Sequence, residues 1–84
     1  MASAEKRFVY VLRSERRDLL YVGVSSNVAQ RLATHNSGGS LFTAPHRPWR
    51  LAASIELPSE ALTVEFERYL KSGSGRAFVN RHFK

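Results

Sequence analysis

Apolar positions in the first part of the chain predict a β-hairpin. Residues 8–12 are aromatic, β-branched or aliphatic throughout, a pattern typical of a strand that is buried on both faces. The polar stretch 13–18 interrupts this run, and a second strand-like apolar run follows over residues 19–24. A hairpin that is symmetric about the polar stretch places Tyr10 directly opposite Tyr21, so both rings are expected on one face of the sheet.

A first helix is predicted after the hairpin. The polar residues 25–27 are good N-cap residues, because their side chains accept hydrogen bonds from the free backbone N–H groups of a helix start. Val28 and Leu32 form an apolar stripe with helical spacing, and the glycines at 38–39 end the helix. The segment 40–48, which contains two prolines, is predicted to be a loop.

The second half of the chain predicts one strand and two helices. Apolar and polar residues alternate over 49–57, which indicates a strand with a single core-facing side. Pro58 ends that strand, and Ser59 can cap a helix that reaches about Lys71. The glycines that follow end this helix, and residues 76–83 predict a short basic helix. The buried stripe of the second helix is predicted to contain Leu62, Phe66, Tyr69 and Leu70.

The predicted element order is β-β-α-β-α-α. It indicates an α/β (α+β) fold in which helices flank a small three-stranded antiparallel sheet. The 84 residues fit a single domain, residues 1–84, with its core at about residues 7–83. No apolar run reaches the roughly 18 residues that cross a membrane, and no apolar segment follows the charged N-terminus as in a signal peptide. We therefore expect a cytoplasmic protein with no membrane partner.

Charge and cysteine content narrow the class of partner. Thirteen Lys and Arg stand against seven Asp and Glu, which gives a net charge of +6 and a sequence pI of about 10.5. Such an excess favours nucleic acid, because phosphates that bind cationic side chains release condensed counterions. The chain has no cysteine, which excludes disulfides and thiolate zinc sites. Charge alone indicates a nucleic-acid partner but does not identify a reaction.

Two tyrosine motifs carry a resemblance to a known family. Phe8-Val9-Tyr10 is followed, eleven residues after its tyrosine, by Tyr21-Val22-Gly23, and Arg31 stands ten residues beyond the second tyrosine. This spacing resembles the paired signature of the GIY-YIG nucleases. The segments 42–49 and 67–73 resemble the short stand-alone bacterial members, and the likeness spans about residues 8–83. The N-terminal nuclease domain of the bacterial excinuclease is a related example in a larger protein.

The resemblance implies a role for each matching residue. Tyr10 and Tyr21 would line the site, and one of them would position and deprotonate the attacking water. Arg31 would bind the scissile phosphate, and His35 would orient a tyrosine or a phosphate oxygen. Glu67 would be the sole protein ligand of one Mg²⁺ or Mn²⁺ ion.

Elementary chemistry supports such a set and leaves two choices open. A guanidinium offers planar paired donors to phosphate oxygens, and Mg²⁺ is commonly held by one or two carboxylates while it keeps several waters. A phenol has an ordinary pKa near 10, so it acts as a base at neutral pH only where positive charge favours the phenolate. Periodicity does not decide between Glu65 and Glu67, and the preference for Glu67 comes from the resemblance. Which tyrosine is the base is also open.

Basic residues extend the predicted contact with nucleic acid beyond the five catalytic candidates. The residues assigned to nucleic-acid binding are Arg31, His46, Arg47, Lys71 and Arg76. His46 lies between two prolines, so an ordinary loop position is an equal alternative for it. The three histidines do not follow a zinc-binding spacing.

The leading hypothesis is a metal-dependent DNA endonuclease, directed to damaged or branched structures and acting in DNA repair or recombination. A single site handles one strand, and either a monomer or a weak homodimer is compatible with this activity. The alternative is a catalytically weak or inactive module that binds nucleic acid together with a protein partner. A third reading, a basic structural protein, explains the charge but not the spacing of the five candidates.

Overall fold

The computed structural model describes residues 7–84, which form a three-stranded antiparallel sheet with strand order β2-β1-β3. The strands are β1 (Arg7–Ser14), β2 (Leu20–Ser25) and β3 (Trp49–Leu57). The helices are α1 (Val28–Asn36), α2 (Glu60–Leu70) and α3 (Gly73–Phe83), and a short 3₁₀ turn spans Ala44–His46. The predicted fold class and the element order β-β-α-β-α-α are confirmed. Within residues 7–84, no helix has the length and apolar character that a membrane crossing needs.

The central strand β1 is buried on both faces, as its apolar run predicts. Val9 and Val11 point to one face, where helices α2 and α3 cover them. Tyr10 and Leu12 point to the other face, where α1 and the loop 40–48 lie. The same eight-residue strand therefore carries the main core on one side and Tyr10 on the other.

The register of the hairpin differs from the prediction by two residues. Tyr10 pairs with Gly23, and Tyr21 pairs with Leu12, so the direct pairing of the two tyrosines was wrong. The cause is the turn, which the backbone hydrogen bond from Ser14 N–H to the Leu19 carbonyl closes at 3.0 Å. Because side chains alternate between faces with a period of two, this shift leaves both tyrosines on the same face.

Strand β3 contains a β-bulge that the alternating pattern of its sequence did not predict. Its pairing with β1 shifts between Val11 and Leu12, and Ala52 is the extra residue. The bulge moves Trp49 to the face of β1 that carries Leu12, whereas Ala53 remains on the face of Val11. The prediction of a single core-facing side for β3 was therefore wrong.

Helix α2 begins where Ser59 predicts, since the Ser59 hydroxyl accepts a hydrogen bond from Leu62 N–H at 3.1 Å. Its buried face is rotated from the predicted stripe, because Leu62 and Tyr69 are 44% and 45% exposed. The fully buried residues are Leu70, as predicted, and Thr63, which was not predicted, and Phe66 packs partly buried against the core. Thr63 can be buried because its hydroxyl donates to the Ser59 carbonyl at 2.7 Å.

Helix α3 begins at Gly73, three residues earlier than predicted. Ser72 caps it, and its hydroxyl accepts a hydrogen bond from Gly75 N–H at 3.3 Å. Gly75 lies so close to the Tyr69 carbonyl and the Leu70 backbone that a Cβ would clash with both. Gly75 therefore allows α3 to pack against the end of α2, whereas a Cβ at Gly73 would meet no atom within 4 Å.

Candidate active site

A buried chain of hydrogen bonds joins strand β1, helix α1 and the loop 40–48. The Tyr10 hydroxyl lies 3.0 Å from His35 Nε2, and His35 Nδ1 lies 2.8 Å from the Thr43 hydroxyl. Tyr10 is 1% exposed, and His35 and Thr43 are completely buried. Trp49 Nε1 donates to the Thr43 carbonyl at 2.9 Å and so fixes Thr43, the last residue in this series of hydrogen bonds. No sequence pattern singles out Thr43, because a loop threonine belongs to no periodic arrangement.

His35 carries no charge at neutral pH. Burial lowers its pKa below the ordinary value, and the nearby positive charge of Arg31 lowers it further. A neutral imidazole carries one proton, so His35 donates to one of its two hydroxyl partners and accepts from the other. The arrangement therefore couples the Tyr10 hydroxyl to Thr43 through a single ring.

Tyr10 stays protonated at neutral pH. Burial is the largest effect and raises its pKa above 10.0. Interaction with the Arg31 guanidinium opposes this rise, while Tyr21 and the negative charge of Glu67 add to it. Arg31 and Glu67 therefore both act electrostatically on the Tyr10 hydroxyl. Arg31 therefore reduces the rise in the pKa of Tyr10 without reversing it.

Tyr21 occupies a more open position than Tyr10. Its ring centroid lies 6.3 Å from that of Tyr10 and 4.9 Å from that of His35, so the two phenols and the imidazole form one cluster. Tyr21 is only partly buried, and its side chain lines a surface cleft. Of the two phenols, Tyr21 is thus the one that reaches solvent.

Gly23 makes room for Tyr10. A Cβ atom at position 23 would lie 2.6 Å from both the Cζ and the hydroxyl oxygen of Tyr10, closer than van der Waals contact allows. The Tyr10 ring therefore lies across the backbone of β2 at the residue with which it pairs. The glycine of the second motif is explained by this close approach.

The cleft beside Tyr21 has a volume of about 590 Å³ and runs along the edge strand β2 to the facing sides of α2 and α3. Lys71 and Arg76 line it, and their contact with nucleic acid stays a prediction. Asn80, which was not singled out from the sequence, lies one helical turn after Arg76 and faces the same cleft. The i, i+4 spacing of these two residues within the predicted helix 76–83 could have identified this shared face.

Glu67 lies at the partly buried edge of α2, whereas Glu65 is exposed. The Glu67 carboxylate forms an ion pair with Lys71 Nζ at 3.0 Å. Over residues 7–84, no three His, Asp or Glu side chains gather into a metal-binding group. A single carboxylate of this kind suits an ion such as Mg²⁺ that keeps most of its waters, provided that Lys71 moves aside.

The geometry agrees with what sequence comparison finds. Residues 6–81 match the family model of the GIY-YIG catalytic domain. The chain belongs to the GIY-YIG family. The match covers both tyrosine motifs, Arg31, His35 and Glu67.

Small bacterial GIY-YIG relatives resemble the chain over most of their length. The UPF0213 protein of Cupriavidus necator is 35% identical over 80 residues, which cover 90% of this chain and 87% of that protein. The solution NMR structure of the UPF0213 protein from Bacillus halodurans superposes with a TM-score of 0.54 and 27% identity. That superposition covers 88% of this chain and 81% of the other.

A larger GIY-YIG relative carries a functional name. The structure-specific endonuclease subunit slx1 of Pyrenophora tritici-repentis is 36% identical over 64 residues. The aligned region covers 69% of this chain but only 18% of that protein.

Three of the five residues predicted to bind nucleic acid do not line the cleft, namely Arg31, His46 and Arg47, and of the five catalytic candidates only Tyr21 lines it. His46 packs edge-on against Trp49, with ring centroids 6.5 Å apart, and its buried Nδ1 has no hydrogen-bond partner within residues 7–84. Arg47 donates from Nε to the Ala44 carbonyl at 2.8 Å and lies over Gly38. The contact of these residues with nucleic acid stays a prediction.

Proposed function

We propose that the protein is a metal-dependent endonuclease that hydrolyses phosphodiester bonds of DNA, one strand for each copy of the site. Membership of the GIY-YIG family supports a nuclease reaction. The observation that carries the proposal is the convergence of Tyr10, Tyr21 and His35, with the charges of Arg31 and Glu67 acting on the Tyr10 hydroxyl. Such groups can together orient a water, bind a phosphate and hold a metal ion, which is one way to hydrolyse a phosphodiester.

Each side chain can be given a part in the reaction. The Arg31 guanidinium binds the scissile phosphate and stabilises the added negative charge during attack. Tyr21, the phenol that reaches solvent, orients the attacking water and, as the phenolate, accepts its proton, while the P–O bond to the leaving oxygen breaks and solvent protonates that oxygen. Tyr10 keeps its proton and fixes His35, which in turn is held by Thr43. Tyr10 and Thr43 are therefore positioning residues.

Glu67 would hold one Mg²⁺ or Mn²⁺ ion. When bound, such an ion withdraws charge from the phosphate and helps the leaving oxygen to depart. The ion pair with Lys71 would open on binding, which frees the Lys71 ammonium for a neighbouring phosphate. The partly buried position of Glu67 favours it over the exposed Glu65.

A plasmid-nicking assay tests the proposal. Supercoiled DNA is incubated with the protein and Mn²⁺, or with chelator, and conversion to the open circle is measured. We expect Arg31→Ala and Glu67→Ala each to abolish metal-dependent nicking, since one removes the phosphate ligand and the other the metal ligand. Glu65→Ala is the matched control, on the same helix, and should nick like the wild type.

The variants should keep circular-dichroism spectra and unfolding midpoints close to those of the wild type, because none of the three residues belongs to the apolar core. Wild-type rates of nicking by folded Glu67→Ala would refute the assigned metal ligand. Equal loss in Glu65→Ala would also contradict the assignment.

The alternative is a binding module that acts with a partner. The Glu67–Lys71 ion pair favours it, because the carboxylate already has a cation beside it. The relative from Pyrenophora tritici-repentis is named as a structure-specific endonuclease subunit, which supports both a branched substrate and a partner protein for this chain. Salt-sensitive DNA binding without nicking on plasmid, flap or branched DNA would favour this alternative, as would nicking that appears only with a partner.

A further inference from the structure

Two neighbouring apolar side chains project from the loop between α1 and β3. Leu41 is 94% exposed and Phe42 is 70% exposed, the highest values for large apolar residues in the part of the chain that the structure describes. Exposed apolar side chains that stand together beside a functional site commonly mark a contact surface. We call these two residues the apolar tip.

The loop that carries the apolar tip is held firmly. Thr43, the next residue, is completely buried and hydrogen-bonded to His35. The Ala44 N–H donates to the Ser40 carbonyl at 2.9 Å, which closes the turn around the tip. Phe42 is therefore presented in a fixed direction, and its exposure does not result from a frayed segment.

The surroundings of the apolar tip match a nucleic acid. The Phe42 ring centroid lies 6.2 Å from that of Tyr21, and both side chains line the cleft that also contains Lys71 and Arg76. An aromatic face beside cationic side chains is how proteins bind unpaired nucleotides, since the ring stacks on a base while the cations contact phosphates. A paired duplex offers no such base face, because its bases are already stacked on both sides.

We infer that Phe42 stacks on an unpaired base next to the phosphate that is cut, with Leu41 wedged beside it. The inference rests on the proposed function, in that the cleft must bind nucleic acid. It deepens that function by naming the substrate class, DNA with an extruded or unpaired base such as a bulge, a flap or a branch point. A second copy of the chain fits the apolar tip poorly, since two side chains are far smaller than a usual interface of about 800 Å² per partner. The cations beside the tip would also face each other in such a dimer.

Binding in chelator tests the inference without relying on catalysis. The probes are a fully paired duplex and the same duplex with one unpaired 2-aminopurine, a base whose fluorescence falls when it stacks on an aromatic ring. We expect the wild type to bind the bulged duplex more tightly and to quench the probe. Phe42→Ala should weaken binding to the bulged duplex by about five- to one-hundred-fold, change binding to the paired duplex little, and leave the probe bright.

Matched variants separate stacking from general effects. Phe42→Tyr keeps a ring and should retain the preference for the bulge, whereas Phe42→Leu keeps an apolar side chain and should lose the quenching. Leu62→Ala removes an exposed leucine outside the cleft and should bind both probes like the wild type.

The inference is overturned if Phe42→Ala binds both probes as the wild type does. It is also overturned if sedimentation shows a wild-type dimer that Phe42→Ala dissociates with no change in probe preference. A Phe42-dependent preference in a protein that cuts no substrate would support the inference and refute the proposed catalysis. Metal-dependent cutting without any Phe42-dependent preference would support the proposed catalysis and refute the inference.

Discussion

At the scale of single residues, the site depends on close contacts around Tyr10 that leave no room for a larger neighbouring side chain. Tyr10 is completely enclosed, with its hydroxyl on His35 and its ring against the backbone of Gly23. A buried aromatic side chain fixed at both ends cannot move to accept even one extra carbon atom without losing a contact. Position 23 is therefore where the smallest change in volume has the largest effect on the site.

Gly23→Ala is predicted to destabilise the protein by about 1–3 kcal/mol, the usual range for overpacking a filled site. The new methyl group displaces the Tyr10 ring and breaks its hydrogen bond with His35. Gly73→Ala is the control, because a Cβ at Gly73 meets no atom within 4 Å. Urea unfolding of both variants measures the difference, and equal stability of Gly23→Ala and the wild type would contradict the described packing.

Those residues of the site that belong to a family motif of fixed spacing could be predicted from the sequence. The two tyrosine motifs and Arg31 stand at intervals that the family shares. The structure clusters the two tyrosines with His35, and the charges of Arg31 and Glu67 act on the Tyr10 hydroxyl. Thr43 could not be predicted, since its role depends on how a loop folds over His35. The roles of His46 and Arg47 stay predictions.

At the scale of the elements, the bulge in β3 decides what covers each face of the sheet. If Ala52 paired regularly with Leu12, the rest of β3 would shift by one residue and Trp49 would turn away from Leu12 toward the opposite face. Trp49 would then lose its hydrogen bonds to Asn36 and Thr43, which tie β3 to α1 and to the loop. The bulge therefore keeps Trp49 on the side of the molecule that carries the site.

Deletion of Ala52 is predicted to leave Trp49, the only tryptophan of the chain, buried, because Leu51 would then follow Ala53 in regular pairing and Trp49 would stay opposite Ser14. Its fluorescence emission should therefore stay unchanged, as it should in Ala52→Ser, which keeps the number of residues. In a strand without a bulge, the deletion would instead turn Trp49 to the opposite face, at a cost of about 3–5 kcal/mol for the lost tryptophan contacts. A shift of the emission to longer wavelength after the deletion would therefore argue against the bulge.

The elements themselves were predictable because each has a local signal. Asn27 and Ser59 cap α1 and α2 as expected, and Gly38 ends α1 with a φ of 86°. Register and rotation were not predictable, because they depend on tertiary contacts. The two-residue shift of the hairpin follows from the turn at Ser14, and the rotation of α2 follows from the burial of Thr63.

At the scale of the whole molecule, three cationic side chains line the cleft beside Tyr21. Lys71, Arg76 and Lys84 line the same cleft as Tyr21, and Asp18 pairs with Lys84 at 3.1 Å. A cationic cleft attracts a polyanion over a distance of about 10 Å at moderate salt. Binding of DNA should therefore depend strongly on ionic strength.

Arg76→Ala is predicted to reduce the slope of log binding constant against log salt by about one, the change expected when a single phosphate contact is lost. Arg81→Ala serves as the control, since Arg81 lies on the same helix but outside the cleft. The slopes are measured in chelator with a paired duplex. An unchanged slope for Arg76→Ala would place the phosphate path elsewhere on the molecule.

The alternation of side chains along strand β1 determines what is lost when the fold is damaged. Its successive side chains serve the apolar core and the tyrosine cluster by turns, so melting of this strand disrupts both together. A partly melted chain would have no assembled tyrosine cluster left. Under the proposed function, heat damage would therefore abolish the cutting of DNA and would not leave an unselective nuclease.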